Sequence, residues 1–139
     1  MKNNRASGYS GTPLAKKLGI QEGSRIYVSG LREDYTGFFD AIPNNIQFQK
    51  AASKTTDVAH IFVTNAAYLK QQLELLRHRI RPDAIVWISW PKKSANISTD
   101  VTENVIREIA LPMGFVDIKV CAVNEVWSGL KLVIRKELR

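Results

Sequence analysis

The sequence predicts an α/β fold whose sheet is mostly parallel and ends in an antiparallel C-terminal hairpin strand. The segments 58–63 and 84–90 are nearly continuous apolar runs, which is typical of parallel strands buried on both faces. Between them, the leucines of 66–80 recur at helical spacing and form one apolar stripe. The strand-like segments 116–123 and 130–136 are joined by a connection of hairpin size, so they should pair with each other.

The N-terminal half predicts a short helix at 13–18 and then the first strand, 25–29. Thr12 can cap this helix, Pro13 suits its first position, and Gly19 ends it. The connection from the first strand is less regular, with apolar residues at 38–42 that indicate one or two helical turns before a short second strand at 46–49. That connection is shorter than a crossover helix between parallel strands normally requires.

Both long helices have recognisable start signals. Asn65 can cap the helix over 66–80. Asp100, with Glu103 three residues later, resembles a capping box at the start of another helix, which Gly114 ends.

The length and composition are those of a single domain over residues 1–139. With 45% hydrophobic residues, the chain can bury a core large enough to fold without disulfides. We expect residues 1–11 to form a polar, flexible N-terminal segment. Cys121 is the only cysteine, which excludes an intramolecular disulfide and favours a reducing, cytoplasmic location. No secretory core or run of about 20 apolar residues is present, so we expect no membrane insertion.

Twenty basic and thirteen acidic side chains give a net charge of +7, which favours anionic partners. The charge is spread along the chain, with +4 in residues 1–70 and +3 in residues 71–139. A nucleic-acid-binding arm would concentrate it. We therefore expect any nucleic-acid binding to be weak and sensitive to salt.

The first strand lacks the loop with which open α/β sheets usually hold a nucleotide or adenosyl cofactor. The strand is followed by GLRED at 30–34, one glycine where several normally let backbone N–H groups approach the ligand. The second strand should end near an Asp or Glu that binds a ribose hydroxyl, but KAAS at 50–53 follows it. The sequence therefore predicts no cofactor.

Common catalytic and metal-binding motifs are also missing from the sequence. It contains no G-x-S-x-G turn, H-E-x-x-H helix or phosphate loop, so no catalytic residue is predicted. His60 lies within a buried strand, which favours a hydrogen-bonded core histidine over a catalytic base. Cys121 has no placed activator beyond Lys119, which favours an inert packing thiol.

The order of elements over 57–136 resembles the C-terminal half of the Rossmann-like methyltransferase fold. In that fold the last strand turns back antiparallel and inserts beside the strand that corresponds to 84–90. The resemblance implies a degenerate methyltransferase-like sheet in which 130–136 lies between 84–90 and 116–123. It shares no catalytic motif, and fold analogy alone does not confer function.

A second resemblance covers nearly the whole chain. The segments GYSGTPLAKKLGI at 8–20, WPKKS at 90–94, TDVTE at 99–103 and VWSGLKL at 126–132 resemble a family of small bacterial proteins defined only as a domain of unknown function. This resemblance implies a bacterial cytosolic domain and supplies no catalytic residues.

Ligands of open α/β sheets bind outside the carboxyl ends of the parallel strands, and several chemistry-bearing residues should meet there. Pro91 should end its strand and free the following lysines from pairing, while the returning strand brings a second tryptophan alongside. Two aromatic rings and two ammonium groups suit a small anionic ligand or an acidic protein partner. The predicted binding residues are Trp90, Lys92, Lys93, Ser94, Trp127 and Ser128.

Three functional hypotheses follow, beside the structural alternative that both tryptophans are core and both lysines merely solvated. The first is a non-enzymatic binding domain that engages a small anionic ligand or a protein partner. The second is a transferase with an unconventional adenosyl-cofactor site, which a cavity lined by residues 8–12, 30 and 65 would favour. The third is a polyanion binder, which one basic face joining 77–81 to 92–93 would favour.

Overall fold

The computed structural model describes residues 12–139 and shows one six-stranded sheet within that range. Its strands are β1 Arg25–Ser29, β2 Gln47–Gln49, β3 Val58–Phe62, β4 Ile85–Pro91, β5 Phe115–Ala122 and β6 Trp127–Ile134. The strand order is β2-β1-β3-β4-β6-β5. Strands β1 to β4 are parallel, while β6 runs antiparallel to both β4 and β5. The predicted fold class and the insertion of the last strand between its two neighbours are confirmed.

The sheet separates two apolar layers. Helices α2 Ala66–Arg79 and α3 Glu103–Ala110 pack on one face, hereafter the α2/α3 face. Helix α1 Leu14–Leu18 and a 3-10 helix at Tyr35–Phe38 pack on the other, hereafter the α1 face. All five residues of β3 are buried, as its continuous apolar run predicts. No helix in residues 12–139 has the length and apolar character needed to cross a membrane.

The caps of the two long helices differ in part from the prediction. Asn65 caps α2, as expected. Asp100 does not start α3, because Thr102 occupies the N-cap position of that helix. The Asp100 carboxylate instead accepts a hydrogen bond of 2.8 Å from the N–H of Ala66, in the first turn of α2. The predicted capping box of Asp100 and Glu103 is therefore wrong, and Asp100 links the starts of the two helices.

The short N-terminal elements also shift. Pro13 takes the N-cap position of α1 and no side chain caps that helix, so the predicted Thr12 cap is wrong. Gly19 ends the helix with a φ of 81°, as predicted. The helical turn between β1 and β2 begins at Tyr35, ahead of the predicted 38–42, and it is a single 3-10 turn.

The ladder between β4 and β6 extends further than predicted. Strand β6 begins at Trp127, which pairs with Pro91, and the N–H of Lys92 donates to the carbonyl of Val126 at 2.7 Å. Pro91 therefore does not end the pairing. Because successive N–H groups point to opposite sides of a strand, the Pro91 nitrogen faces β3, whose pairing with β4 has already ended at Ser89.

Candidate ligand-binding cleft

A cleft of about 480 Å³ opens at the carboxyl ends of β1 and β3. The chain leaves β1 toward β2 on one side and leaves β3 toward β4 on the other, so this point is the topological switch of the sheet. Open α/β sheets bind ligands at such switch points. The loop at 30–33, the end of β3, the start of α2 and Trp127 line the cavity, hereafter the switch-point cleft.

Gly30 shapes the cleft because the chain crosses over the end of β3 at this residue. Its φ is +84°, and a Cβ atom there would lie 2.0 Å from the carbonyl oxygen of Phe62. Only glycine allows both the positive φ and this close approach of two backbones. The glycine therefore serves contact within the chain rather than contact with a phosphate.

Two aromatic rings belong to the apolar lining of the cleft. Phe62 meets Trp127 edge to face, with ring centroids 5.1 Å apart, and stacks on His60 at 4.3 Å. Trp127 is only 9% exposed, so most of its ring is packed into the α1 face. The cleft thus has a rigid aromatic wall continuous with the core.

A buried polar chain fixes the loop that follows the cleft. Nδ1 of His60 lies 2.7 Å from the Tyr35 hydroxyl, and Nε2 lies 2.7 Å from Oγ of Ser89. Burial lowers the pKa of His60 to about 3, so the ring is neutral and donates through one nitrogen while accepting at the other. Burial also raises the pKa of the Tyr35 hydroxyl. His60 is the hydrogen-bonded core histidine that the sequence predicts.

Helix α2 forms the opposite wall, and polar contacts fix its first turns. The hydroxyl of Tyr68 is hydrogen-bonded to the hydroxyl of Ser29 at the end of β1. The carbonyl of Thr64 accepts a hydrogen bond of 2.7 Å from the Thr99 hydroxyl. The side chain of Asn65 is occupied in capping α2. These groups hold the wall in place and leave the charged residues of the loop to meet a ligand.

Arg32 and Glu33 are the charged residues at the cleft, and both are exposed. Within the described part of the chain, Arg32 makes no hydrogen bond or ion pair. Its guanidinium group is therefore available to an anion that enters the cleft.

The structure separates the two tryptophans that the sequence analysis grouped. Trp90 pairs with Ser128 and packs on the α2/α3 face, whereas Trp127 pairs with Pro91 and packs on the α1 face. Neighbouring positions of a strand point to opposite faces. The prediction that both rings form one contiguous patch is therefore wrong, while ligand binding by the individual residues stays a prediction.

The loop after β4 carries the remaining predicted residues. Lys92 precedes a 3-10 turn that contains Lys93 and Ser94, and the same loop continues to Ile97, which lines the cleft. Trp127 lines it as well, so two of the predicted segments reach one cavity. Sequence reasoning brought Gly30 and Asn65 to this edge but missed Phe62 and Tyr68. Both could have been found from their positions, because Phe62 ends β3 and Tyr68 lies in the first turn of the helix that follows.

The basic groups do not form one face. The run at 77–81 lies at the C-terminal end of α2, and the lysines at 92–93 lie at the carboxyl end of the sheet, where α2 begins. A helix of 14 residues separates the two groups by about 20 Å. Among the described residues, no cluster of histidine, cysteine or acidic side chains could hold a metal ion.

Several solved structures of methyltransferases resemble this chain in fold. A SAM-dependent methyltransferase from Aquifex aeolicus superposes with a TM-score of 0.60 and 16% identity, over 88% of each chain. This chain has the methyltransferase-like fold. A precorrin-6y C5,15-methyltransferase from Geobacter metallireducens aligns with a TM-score of 0.54 and 9% identity, over 88% of this chain and 85% of the other. Fibrillarin from Aeropyrum pernix, solved with natively bound S-adenosyl-L-methionine, aligns with a TM-score of 0.56 and 12% identity, over 86% of this chain and 73% of the other.

These identities establish the fold and carry no activity to this chain. A scan against protein-family models and a search of curated proteins find no match. The resemblance to the bacterial family of unknown function therefore stays a prediction.

An adenosyl cofactor fits the described residues poorly. A ribose needs a carboxylate near the end of β2, but Gln49 ends that strand, and its amide is hydrogen-bonded to Thr55 and Thr56. Gly30 packs closely against the carbonyl group of Phe62, so it does not provide an open backbone loop for a cofactor. Neither position offers the contacts that an adenosyl group requires.

Proposed function

We propose that this protein is a binding domain on a methyltransferase-like scaffold, and that it takes a small anionic ligand with an aromatic or apolar body into the switch-point cleft. The observation that carries the proposal is the cavity at the topological switch point of the sheet. Pockets of this size, mostly apolar and with a few convergent polar groups, are typical of small-molecule sites.

The chemistry of the walls supports this ligand class. Trp127, which is 9% exposed, and Phe62 line the apolar side of the cleft, and Arg32 offers a guanidinium group to a carboxylate or phosphate. The net charge of +7 would steer an anion toward the protein. We further propose that the loop with Lys92, Lys93 and Ser94 forms the rim, since its continuation supplies Ile97 to the cavity.

Titration calorimetry with phenyl phosphate tests the proposal, because this probe combines a flat ring with a phosphate and carries no adenosyl group. We expect saturable binding that is weakened at least tenfold in Arg32→Gln. The matched control is Arg79→Gln, which removes one positive charge from an exposed residue of α2 away from the cleft. No binding, or equal weakening by both variants, would contradict the proposal.

A transferase with an unconventional adenosyl-cofactor site is the second candidate. It is favoured by the methyltransferase neighbours and by the presence of Gly30 and Asn65 in the cleft wall, two of the positions that this hypothesis requires. Residues 8–11, which it also requires, lie outside the described residues. Against it stands the missing carboxylate after β2. We expect no binding of S-adenosylmethionine, and saturable micromolar binding in calorimetry would favour the transferase instead.

A further inference from the structure

Two lysines outside the switch-point cleft lie directly opposite each other on neighbouring strands. Lys119 of β5 pairs in register with Lys131 of β6. Directly opposed residues of antiparallel strands have Cβ atoms about 5 Å apart, and like charges in this position are destabilising. Neither lysine has a hydrogen-bond or ion-pair partner among residues 12–139.

A β-bulge creates this pairing. The register shifts between Asp117 and Lys119, so that Ile118 is the extra residue of β5. Asp117 therefore lies on the α2/α3 face, where its carboxylate accepts a hydrogen bond of 2.7 Å from Nε of Arg107. Without the bulge, Lys119 would share that face. Bulges commonly redirect a side chain beside a functional site, and this one directs Lys119 to the α1 face beside Lys131.

Other positive charge lies close to the pair. The ammonium groups of Lys17 and Lys119 both act on the thiol of Cys121, although burial is the larger influence and raises the pKa of that thiol. The pKa of Lys131 is lowered, first by partial burial and then by the charge of Lys119. A bound anion would offset the repulsion between Lys119 and Lys131, because it neutralises charges that the register holds together.

We propose that Lys119 and Lys131 bind the phosphodiester backbone of a nucleic acid. Lys119 is exposed, Lys131 is half-exposed, and β5 is the edge strand of the sheet, so an extended polyanion can reach both ammonium groups. Val116 and Val133 are the half-exposed strand neighbours on this face, and neither can stack on a base. Recognition is therefore of phosphate and independent of base sequence.

Fluorescence anisotropy with a labelled single-stranded RNA of mixed sequence tests this site in the full chain. The variant is the double substitution Lys119→Gln and Lys131→Gln. We expect it to weaken binding about tenfold at low salt and to reduce the slope of log affinity against log salt by about 1.4, for two lost contacts to a single strand. The double substitution to arginine, which keeps both charges, should retain binding.

The matched control replaces Lys50 and Lys70 with glutamine, two exposed lysines outside β5 and β6, and so removes the same charge. This control should change binding less than threefold. The unliganded Lys119→Gln, Lys131→Gln protein should also melt at or above the temperature of the native protein, because a repulsion is removed. Equal losses in the two glutamine variants, or no measurable RNA binding, would each overturn the proposal.

Discussion

Replacement of Gly30 by alanine tests how the chain builds the cleft. A residue with a side chain loses about 1–2 kcal/mol in the left-handed conformation that Gly30 adopts. The added Cβ atom would also lie 2.0 Å from the Phe62 carbonyl oxygen, and neither backbone can move without disturbing β3. Relief of such overlap typically costs about 1–3 kcal/mol. We therefore expect Gly30→Ala to lower the free energy of unfolding by about 2–5 kcal/mol.

Two other glycines separate the conformational cost of alanine from the cost of steric overlap. Gly23 has a φ of +78° but nothing within 4 Å of an added Cβ atom, so Gly23→Ala should lose only the conformational part, about 1–2 kcal/mol. Gly37 has neither a positive φ nor a close neighbour. Alanine at that position should be neutral or stabilise by up to about 1 kcal/mol, because it restricts the unfolded chain.

Urea denaturation followed by tryptophan fluorescence measures all three variants under the same conditions. The expected order of stability is Gly37→Ala, then Gly23→Ala, then Gly30→Ala, with unchanged dependence on urea concentration. If Gly30→Ala and Gly23→Ala were equally stable, the close approach to Phe62 would have no energetic weight. The description of Gly30 as a contact within the chain would then be refuted.

Two further predictions concern the core beneath the cleft. Burial holds the pKa of His60 near 3, below its ordinary value of about 6.5, so the unfolded chain takes up a proton more readily than the folded state. The free energy of unfolding should therefore be highest above about pH 6.5. It should fall between pH 6.5 and pH 3 by up to about 1.4 kcal/mol per pH unit. Urea midpoints measured across this range should show a shallower decline in His60→Gln but not in the exposed control His78→Gln, and identical declines would contradict the assignment. Trp127→Ala should lower the free energy of unfolding by about 3–5 kcal/mol, as for a buried aromatic deletion, while Lys93→Ala stays within about 0.5 kcal/mol. Thermal melts of the two variants check this, and a Trp127→Ala protein of native stability would show that the ring does not support the core.

Much of the sheet could be predicted because its signals are local. The apolar runs at 58–63 and 84–90 are long enough to mark buried strands, and the short last connection requires an antiparallel pair. The insertion of β6 beside β4 came from the methyltransferase-like order of elements. The connection between β1 and β2 was harder to predict. Its single 3-10 turn begins at Tyr35, which is held by a hydrogen bond to His60, 25 residues away in the sequence.

The candidate site was harder to predict because it depends on strand faces. A shift of one position moves every side chain to the other face of a sheet, and the start of β6 at Trp127 rather than Leu130 was not visible in the sequence. Trp90 and Trp127 could therefore be brought to one edge but not assigned to opposite faces. The bulge at Ile118 leaves no mark in residue spacing either, although it decides which face Lys119 occupies.

The position of β6 between β4 and β5 also constrains the order of events during synthesis. A nascent chain that has emerged only as far as β5 lacks a partner for that strand among residues 12–122, because β6 is its one neighbour within the described part of the sheet. The apolar edge of β4 stays open for the same interval, and open edges of this composition invite pairing with other chains. Completion of the sheet therefore waits for residues 127–134, and protection by chaperones matters most just before they emerge.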